Sequence, residues 1–416
     1  MRKSSHKKPH DASKSARKAM KPMKPKAALS PFFEALPDAE FFGPSVQHVY
    51  LYGEVNNMAL LALRRDIDEA SKGRTVCKLT GTCVEVEPKP IVVHINSPGG
   101  GLDAGLSMMS IFHESRVDIC ACVDGISISA ATFLSVIAPY RVMVSLGLST
   151  IHAYSSSIDG RRVDVMYDFE SIENTFALIR DMYLERTRIP KGDMDVLLAR
   201  DLYLTADKCL EYGLCDRVLK FHSTKANPSS LPEFSLALKK TNLNHVRFSC
   251  AELGRWALMT AKHLDALLDE GPSTKAIVIH ADSLACLYDA TSQALATVTR
   301  MQALSVPTYG IIDTDVSLLN ALPILVCKRR AMYAHAVVNI KMTYSVEWGA
   351  FIGDIVANTG VVMTMIRQLL KKYTKLPPDM IEGIDRHMYR LGAKECLEYG
   401  LVDEIIAVAP ASTRRH

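Results

Sequence analysis

Ser129, His152 and Asp201 are residues of the three types that cooperate in serine nucleophilic catalysis, and they follow in this order in the first half of the chain. A serine hydroxyl is a weak nucleophile until a base takes its proton, and a histidine oriented by a carboxylate is a common base. Ser129 follows an apolar stretch that is strand-like up to Gly125, and it starts a predicted helix, SAATFLSVIA. His152 ends the apolar run VMVSLGLSTI. These residues therefore predict acyl transfer to a serine.

Each of these residues also has a structural interpretation. A serine at a helix start is most often an N-cap, and a lone histidine at a strand end is most often structural. Ser127 is a rival nucleophile two residues earlier, and it would face the other way if it still lies on the strand. Asp201 lies between apolar residues, so it is expected either to be buried or to pair with Arg200 in a loop. The residue types alone leave these alternatives open.

A glycine-rich turn, INSPGGG at residues 95–101, follows a predicted strand and precedes a predicted helix. Gly99, Gly101 and Ala104 match the G-x-G-x-x-[GA] pattern of dinucleotide-binding turns. Pro98 lies where such a turn approaches the pyrophosphate, and no acidic residue ends the next strand at the expected distance, so dinucleotide binding is the weaker interpretation. The other functional interpretation is that a glycine amide points into a cleft as half of an oxyanion hole. A plain tight turn is the structural alternative.

The chain contains an internal repeat. CLEYGL occurs at residues 209–214 and 396–401, each time as a short predicted helix that ends at a glycine and leads into a strand. PIVVHINSPGGGLDAG also aligns without gaps to AIVIHADSLACLYDAT, VDICACVDG to VPTYGIIDT, and PYRVMV to KRRAMY. Both halves then continue with a long helical pattern of apolar residues, at 165–183 and 355–373. Two copies of one fold of roughly 190 residues are therefore predicted.

Short apolar runs alternate with helical patterns within each copy. HVYLYGEV, PIVVHIN, DICACVDG and YRVMVS are predicted strands, and NMALLALRRDIDEASKG, LDAGLSMMSIFHES and SAATFLSVIA are predicted helices between them. This order predicts an α/β fold built of repeated ββα or βα units. The predicted division is a basic, disordered tail at 1–35, a first domain at 36–221, a linker at 222–234 and a second domain at 235–416.

The first half resembles the proteolytic subunit of the Clp protease, a member of the ClpP/crotonase fold superfamily. Four motifs carry the resemblance, in order: INSPGG at 95–100, G-x-x-x-S-A at 125–130, IH at 151–152, and Asp201 followed by LTADKCLEYGLCD. The resemblance runs from about Val46 to Val218. The segment around the serine departs from the family pattern G-x-A-A-S-M, because serine and isoleucine replace the two alanines and alanine replaces the methionine.

The resemblance implies a role for each residue of the site. It implies that Ser129 is the nucleophile, that His152 is the general base and then the acid, and that Asp201 orients the imidazole. It further implies that the amides of Gly100 and Ala130 hold the oxyanion. The expected activity is that of a serine endopeptidase acting on unfolded proteins or peptides, with no cofactor and no metal.

The resemblance also implies two tandem ClpP/crotonase-like domains and assembly into stacked rings, as homo- or hetero-oligomers. The long helix at 165–183 would contribute to contacts between rings. No GxxxxGK[ST] phosphate-binding loop occurs in the chain, so ATP-driven unfolding would need a separate AAA+ unfoldase. Two alternatives remain: a non-catalytic structural subunit of such a complex, and a crotonase-like acyl-CoA enzyme, which needs oxyanion amides but no triad.

The second half lacks the chemical groups of the first at the aligned positions. Leu318, Lys341 and Met388 align with the three triad residues, and DSLACL replaces the paired glycines. Ser317 lies one position away, and a residual Ser317/Lys341 dyad would need a shifted strand. We expect a degenerate copy that keeps the fold without the chemistry.

Composition and charge exclude several other classes of protein. Hydrophobic residues make up 48% and charged residues 23% of the 416, as in folded soluble proteins. The first 30 residues contain ten Lys or Arg and one acid, Asp11, and this basic segment accounts for the whole net charge of +4. The rest of the chain therefore lacks the positive charge expected of a nucleic-acid-binding domain. No apolar run approaches the ~18 residues of a membrane span.

The cysteines and the basic tail bear on the compartment. Ten cysteines occur without a CxxC pair, which argues against a zinc or dithiol site and indicates buried thiols in a reducing compartment. We expect a cytoplasmic protein, or one of the mitochondrial matrix or plastid stroma if the basic tail is a transit peptide.

Overall fold

The computed structural model describes residues 30–77, 83–153, 162–221, 244–248, 261–262, 264–265, 276–281, 290–342 and 352–407. The fold is α/β, with a largely parallel sheet and associated helices in each half. The linker predicted at 222–234 and the first 29 residues lie outside the described part of the chain.

The first sheet has seven strands, and its main path runs β1-β4-β5-β6-β9 with every neighbouring pair parallel. β7 pairs with the end of β5 and with the short β8, and β2 and β3 form a separate hairpin. All seven residues of β4 are buried, as expected of a parallel strand covered on both faces. The bounds are β1 Gln47–Tyr52, β2 Arg74–Cys77, β3 Cys83–Val86, β4 Ile91–Ser97, β5 Ile119–Ile128, β6 Tyr140–Val144, β7 Leu148–Thr150, β8 Leu204–Thr205 and β9 Arg217–Leu219.

The helices of the first half begin and end at residues suited to helix termini. The Asn56 side chain accepts a hydrogen bond from Ala59 N–H and caps α2, and the Thr205 side chain caps α7 in the same way. α7 ends at Gly213, whose φ of +68° is the left-handed conformation common after a helix. The bounds are α1 Pro31–Ala35, α2 Asn57–Ala70, α3 Leu102–Glu114, α4 Ala131–Ile137, α5 Arg162–Arg186, α6 Lys191–Leu198 and α7 Ala206–Tyr212, with a 3-10 helix at Asp38–Phe42.

The second half has a five-stranded parallel sheet in the order β10-β11-β12-β14-β17 and a three-stranded sheet β13-β15-β16. Its strands are β10 Asn244–Phe248, β11 Ile277–Ala281, β12 Thr308–Ile312, β13 Val316–Ser317, β14 Arg329–Tyr333, β15 Val337–Ile340, β16 Tyr389–Gly392 and β17 Glu404–Ile406. Its helices are α8 Ala290–Ala303, α9 Leu318–Leu325, α10 Ile352–Tyr373, α11 Pro378–Glu382 and α12 Ala393–Glu398.

The two halves contain the same buried His–Asp pair at positions that the ungapped alignment places opposite each other. His94 on β4 contacts Asp124 on β5, with Nδ1 3.0 Å from Oδ2. His280 on β11 contacts Asp313, just after β12, with Nδ1 2.9 Å from Oδ2. The pair therefore joins the same two neighbouring strands in each half.

An Arg–Asp pair is also repeated. Arg141 on β6 donates to both oxygens of Asp216, with Nη2 2.7 Å from Oδ1 and Nε 3.0 Å from Oδ2. Arg330 on β14 makes the same two contacts with Asp403, at 2.6 and 3.2 Å. In each half the guanidinium also donates to the carbonyl of the last residue of the long helix, α5 or α10, at 3.1 and 2.9 Å. These pairs tie the sheet to the turn before its last strand.

The core of the second half includes side chains of the first. Ile126 and Leu148 belong to the same buried apolar cluster as residues of β11, α8, α9 and α10, and Ile128, Leu146 and Tyr203 pack against it. Arg300 on α8 is buried and reaches into the first half, where Nη2 lies 3.3 Å from the Tyr50 hydroxyl. The two halves are therefore packed face to face around a shared core.

Two predicted boundaries in the first half differ from the structure. β5 continues to Ile128 rather than ending near Gly125, because it gains a second partner, β7, at Ile126–Ile128. The predicted helix SAATFLSVIA is accordingly shorter and spans Ala131–Ile137. The last residues of the tail predicted at 1–35 are folded: Pro31–Ala35 form α1, and the buried Phe33 ring stacks with that of Tyr140.

Candidate functional site

Ser129 lies in the tight turn between β5 and α4, not in the first turn of the helix as predicted. Its φ is +54°, and it is the only non-glycine with positive φ in the described part of the chain. Its N–H donates to the Thr150 carbonyl (3.0 Å), and its own carbonyl accepts from Thr132 N–H (2.9 Å) and Thr132 Oγ1 (2.5 Å). A non-glycine residue in this conformation costs about 1–3 kcal/mol and needs surrounding structure to hold it. The backbone therefore fixes where the serine side chain emerges.

Thr132 connects this turn to the long helix of the first half. Its hydroxyl, which donates to the Ser129 carbonyl, also hydrogen-bonds to the hydroxyl of Tyr183 on α5. Tyr183 is buried, and burial raises the pKa of its phenol, so it stays protonated and serves as a donor. The nucleophile turn is thus anchored on both sides.

Ser127, the rival nucleophile, lies on β5 and is fully buried. Its hydroxyl is 3.3 Å from the hydroxyl of Ser135 on α4, inside the core. No solvent-exposed path reaches a fully buried hydroxyl, so Ser127 is a packing residue.

His152 and Asp201 lie in contact, as the resemblance implies. His152 follows β7 and Asp201 lies between α6 and β8, and His152 Nδ1 is 2.9 Å from Asp201 Oδ1. This bond fixes the tautomer that carries the proton on Nδ1 and leaves Nε2 as a base. His152 Nε2 is buried and has no hydrogen-bond partner among the described residues. His152 and Asp201 are therefore in contact, and His152 Nε2 makes no hydrogen bond to Ser129 in this structure.

The glycine turn packs directly against the nucleophile turn. A Cβ at Gly99, where φ is +89°, would lie 2.5 Å from the Ile128 carbonyl oxygen and 2.7 Å from Ser129 Cβ. Val55, between β1 and α2, holds the turn in place: its N–H donates to Gly99 O (2.8 Å), and its carbonyl accepts from Gly101 N–H (2.7 Å). Only glycine at position 99 allows this approach.

The two amides expected to form an oxyanion hole, Gly100 N–H and Ala130 N–H, donate no hydrogen bond to a described residue. At Gly100 this is because the bridge to Val55 uses the flanking groups Gly99 O and Gly101 N–H. Ala130 N is 3.2 Å from the position of a Cβ on Gly99, so the amide lies at the contact between the two turns. Amide donors beside a serine hydroxyl suit a developing oxyanion.

Neither structural alternative for Asp201 is correct. Its side chain is 65% exposed rather than buried, and it pairs with His152 rather than with Arg200. Arg200 instead pairs with Asp354 on α10, in the second half, with Nε 2.6 Å from Oδ1. Sequence reasoning missed Asp354 because more than 150 residues separate it from this loop and no motif marks it.

The equivalent positions of the second half have other roles. The Ser317 side chain accepts a hydrogen bond from Asn320 N–H and caps α9, and Leu318 is fully buried in the core. Met388 is 60% exposed and Lys341 is exposed. The DSLACL segment, 282–287, lies outside the described residues.

The described residues offer no metal site, no reactive thiol and no membrane-spanning helix. Among the described residues, no three His, Cys, Asp or Glu side chains are grouped as metal ligands. Cys120, Cys122, Cys209, Cys215, Cys327 and Cys396 are free and buried, and burial raises their thiol pKa, so these thiols are unreactive. No helix in the described ranges has the length and apolar character to span a membrane.

A model of the Clp protease family matches residues 45–222, the part of the chain that holds the whole candidate site. Through this first half the chain belongs to the Clp protease family. Relatives include the ATP-dependent Clp protease proteolytic subunit of Oltmannsiellopsis viridis, 25% identical over 42% of this chain and 91% of the relative. Proteolytic subunit 1 of Chlamydia pneumoniae is 29% identical over 37% of this chain and 82% of its own length. Subunit 3 of Rhodococcus jostii is 27% identical over 42% and 88%.

Proposed function

We propose that the chain is a serine endopeptidase that hydrolyses peptide bonds of unfolded proteins. The observation that carries this proposal is the hydrogen-bonded pair of His152 and Asp201, in a Clp protease family domain whose Ser129 is held at positive φ. In the proposed reaction His152 Nε2 takes the Ser129 proton while Oγ attacks the scissile carbonyl. The oxyanion is held by the N–H groups of Gly100 and Ala130.

The remaining steps follow from the same groups. The imidazolium gives its proton to the leaving amine, and the C–N bond breaks to leave an ester on Ser129. Water, deprotonated by His152, then hydrolyses the ester and restores the serine hydroxyl. Asp201 keeps the Nδ1 proton in place and stabilises the imidazolium in both halves of the reaction. No metal or cofactor takes part in the proposed mechanism.

The second half is proposed to be a duplicated, non-catalytic copy of the first. The support is the corresponding strand order, the repeated His–Asp and Arg–Asp pairs, and the CLEYGL segments at the same place in each half. The proposed domains remain 36–221 and 235–416, joined by the linker at 222–234, with packed structure extending back to α1. Because Leu318 is buried and Ser317 caps a helix, we assign no chemistry to this copy.

The chain is further proposed to assemble into rings that enclose the site and to receive unfolded chains from a separate AAA+ unfoldase. The family membership supports ring assembly, and the lack of a phosphate-binding loop in the sequence makes the energy source a different protein. The proposed compartment is the cytoplasm, or an organelle if the basic tail directs import.

A fluorophosphonate probe tests the hydrolase proposal, since it reacts only with an activated serine. We expect wild-type protein to be labelled and to cleave a short fluorogenic peptide, and Ser129→Ala to lose both, with a fall in kcat of at least about 1,000-fold. Ser127→Ala is the matched control, because this serine is buried two residues away, and its labelling should persist. Absence of labelling in the wild type would instead favour a non-catalytic subunit.

A further inference from the structure

The loop that carries Asp201 is held by the second half of the chain. Asp201 N–H donates to Asp354 Oδ2 (3.0 Å), and Asn358 Nδ2 donates to the Asp201 carbonyl (2.6 Å). Asn358 Oδ1 accepts from Tyr203 N–H (2.7 Å). Asp354 and Asn358 are four residues apart on α10, so they lie on one face of the helix, one turn apart. One face of α10 therefore binds both backbone groups of Asp201.

The Asp201 side chain has little packing of its own to fix its position. It is 65% exposed, whereas Asp354 is 4% exposed. In a side chain with this exposure, the carboxylate position depends on the backbone from which it projects. Both backbone hydrogen bonds of Asp201 among the described residues go to α10. The position of the carboxylate against His152 Nδ1 is thus set through the second half.

Arg200 completes the contact. Its guanidinium lies against Asp354 Oδ1 while the other carboxylate oxygen, Oδ2, accepts the Asp201 N–H. The hydrogen bond from Arg200 lowers the pKa of Asp354, so this carboxyl stays ionised and accepts from both donors. Charge-assisted hydrogen bonds of this kind are about twice as strong as neutral ones.

Apolar packing reaches the segments of all three triad residues. Ile126 and Ile128 precede Ser129, Leu146 and Leu148 precede His152, and Tyr203 follows Asp201; all five pack in or against the apolar cluster of the second half. The second half therefore supports the strand ends from which the triad projects, in addition to its polar contact with the Asp201 loop.

We propose that Asp354 and Asn358 are positioning residues for the His152–Asp201 pair, so that the second half makes the site of the first half competent. This inference rests on the proposed peptidase function. Neither residue touches substrate; both act through the backbone of Asp201. Misplacing a catalytic group by about 1 Å costs roughly 100-fold in rate. Loss of either contact should therefore lower kcat, while KM, which reflects substrate binding elsewhere, changes little.

The test uses the full chain with Asp354→Ala and Asn358→Ala, and with Asn358→Asp, which keeps an acceptor for Tyr203 N–H but puts a repelling oxygen in place of the donor to the Asp201 carbonyl. We expect kcat for a fluorogenic peptide and the rate of fluorophosphonate labelling to fall about 10- to 100-fold, with KM within about threefold. Glu382→Gln is the matched control. The carboxylate of Glu382, at the end of α11, pairs with Arg367 and Lys371 on α10, away from the Asp201 loop. The kcat of Glu382→Gln should therefore stay near that of the wild type.

A second measurement separates positioning from general damage. In an Asp201→Ala background, the orienting carboxylate is already absent, so adding Asp354→Ala or Asn358→Ala should lower kcat less than twofold further. A similar fall in both backgrounds would overturn the proposal, and so would unchanged kcat in all α10 variants of an active wild type. A wild type without labelling would overturn the peptidase proposal itself, and the positioning role with it.

Discussion

At the scale of single residues, the conformation of Ser129 determines what its side chain can do. Ser129 is an L-residue at φ +54°, held by Thr150 and Thr132, and the closely packed Gly99 lies against it. Structure that holds a strained residue this firmly is common at functional sites, because it places a reactive atom before substrate arrives. A glycine, which has no Cβ, would adopt this conformation at lower cost, so the turn geometry alone does not call for a serine.

Gly99→Ala should disable the site. The new Cβ would lie 2.5 Å from the Ile128 carbonyl oxygen and 2.7 Å from Ser129 Cβ, so the nucleophile turn must move. We expect the rate of fluorophosphonate labelling to fall about 10- to 100-fold. Gly192→Ala is the control, because no atom lies within 4 Å of a Cβ there and its labelling should be unchanged. Equal labelling of the two variants would show that the glycine turn does not support the nucleophile.

The sequence was sufficient to nominate the residues of the site but not to describe how they are held. Serine, histidine and aspartate could be nominated because their types, their place at the ends of apolar runs and their motif spacing agree. The pairing of His152 with Asp201 follows the prediction. The role of Arg200 could not be predicted, because its partner Asp354 belongs to a helix brought close only by tertiary folding.

At the scale of elements, hydrophobic periodicity predicted most of the first half within a few residues. The strand predicted at 118–125 extends to Ile128 and the helix predicted at 129–138 is shorter, since Ile126–Ile128 pair with β7, and pairing between distant segments leaves no local pattern. The long helices could be placed because apolar residues recur every three or four positions and prolines follow: α5 spans Arg162–Arg186 and α10 spans Ile352–Tyr373.

The repeated Arg–Asp pairs yield a prediction about stability. Arg141 and Asp216 are about 95% buried, so Asp216→Ala leaves a buried guanidinium without its carboxylate and should lower the free energy of unfolding by about 3–5 kcal/mol. Asp403→Ala should act in the same direction but less strongly, because Arg330 and Asp403 are more exposed. Glu69→Ala removes the exposed pair with Lys72 and should leave stability nearly unchanged. Urea unfolding measures all three, and a larger effect for Glu69→Ala than for Asp216→Ala would contradict this order.

At the scale of the whole molecule, a buried polar cluster lies where the halves meet. Asp124 accepts from Tyr52 and lies 3.0 Å from His94, which contacts His48, and Arg300 of the second half lies nearby. Burial raises the pKa of Asp124 to about 7, and burial also lowers the pKa of both histidines. The interface therefore contains one carboxyl group, that of Asp124, that titrates near neutral pH.

Asp124→Asn should remove one pH dependence of stability. Between about pH 4 and pH 7 the folded protein keeps a proton on Asp124 that the unfolded chain releases, so this group lowers stability as pH rises. We compare the free energy of unfolding of the wild type with that of Asp124→Asn at each pH. The difference, wild type minus variant, should fall by up to about 4 kcal/mol as pH rises from about 4 to 7. The opposing contributions of His48 and His94 occur in both proteins and largely cancel in the difference. Parallel curves for the two proteins would exclude a raised pKa.

Native mass spectrometry tests the proposed assembly. Leu178 on α5 and Val196 on α6 are more than half exposed, and exposed apolar side chains on neighbouring helices are typical of an interaction surface. We expect a particle with the mass of several chains, and a smaller mean mass for Leu178→Glu, since a charge cannot be buried there without a partner. A wild-type particle with the mass of one chain would contradict the proposal.

The covalent connection between the two halves has a consequence for subunit stoichiometry. Since Ser129 and α10 belong to one polypeptide, synthesis always supplies them in a ratio of one to one, whatever the expression level. Tethering also makes their encounter intramolecular, at an effective local concentration that dilution cannot reduce. A substitution that disrupts α10 would therefore lower only the proposed activity of Ser129 in the same chain. Every other chain in a mixed particle would retain its activity.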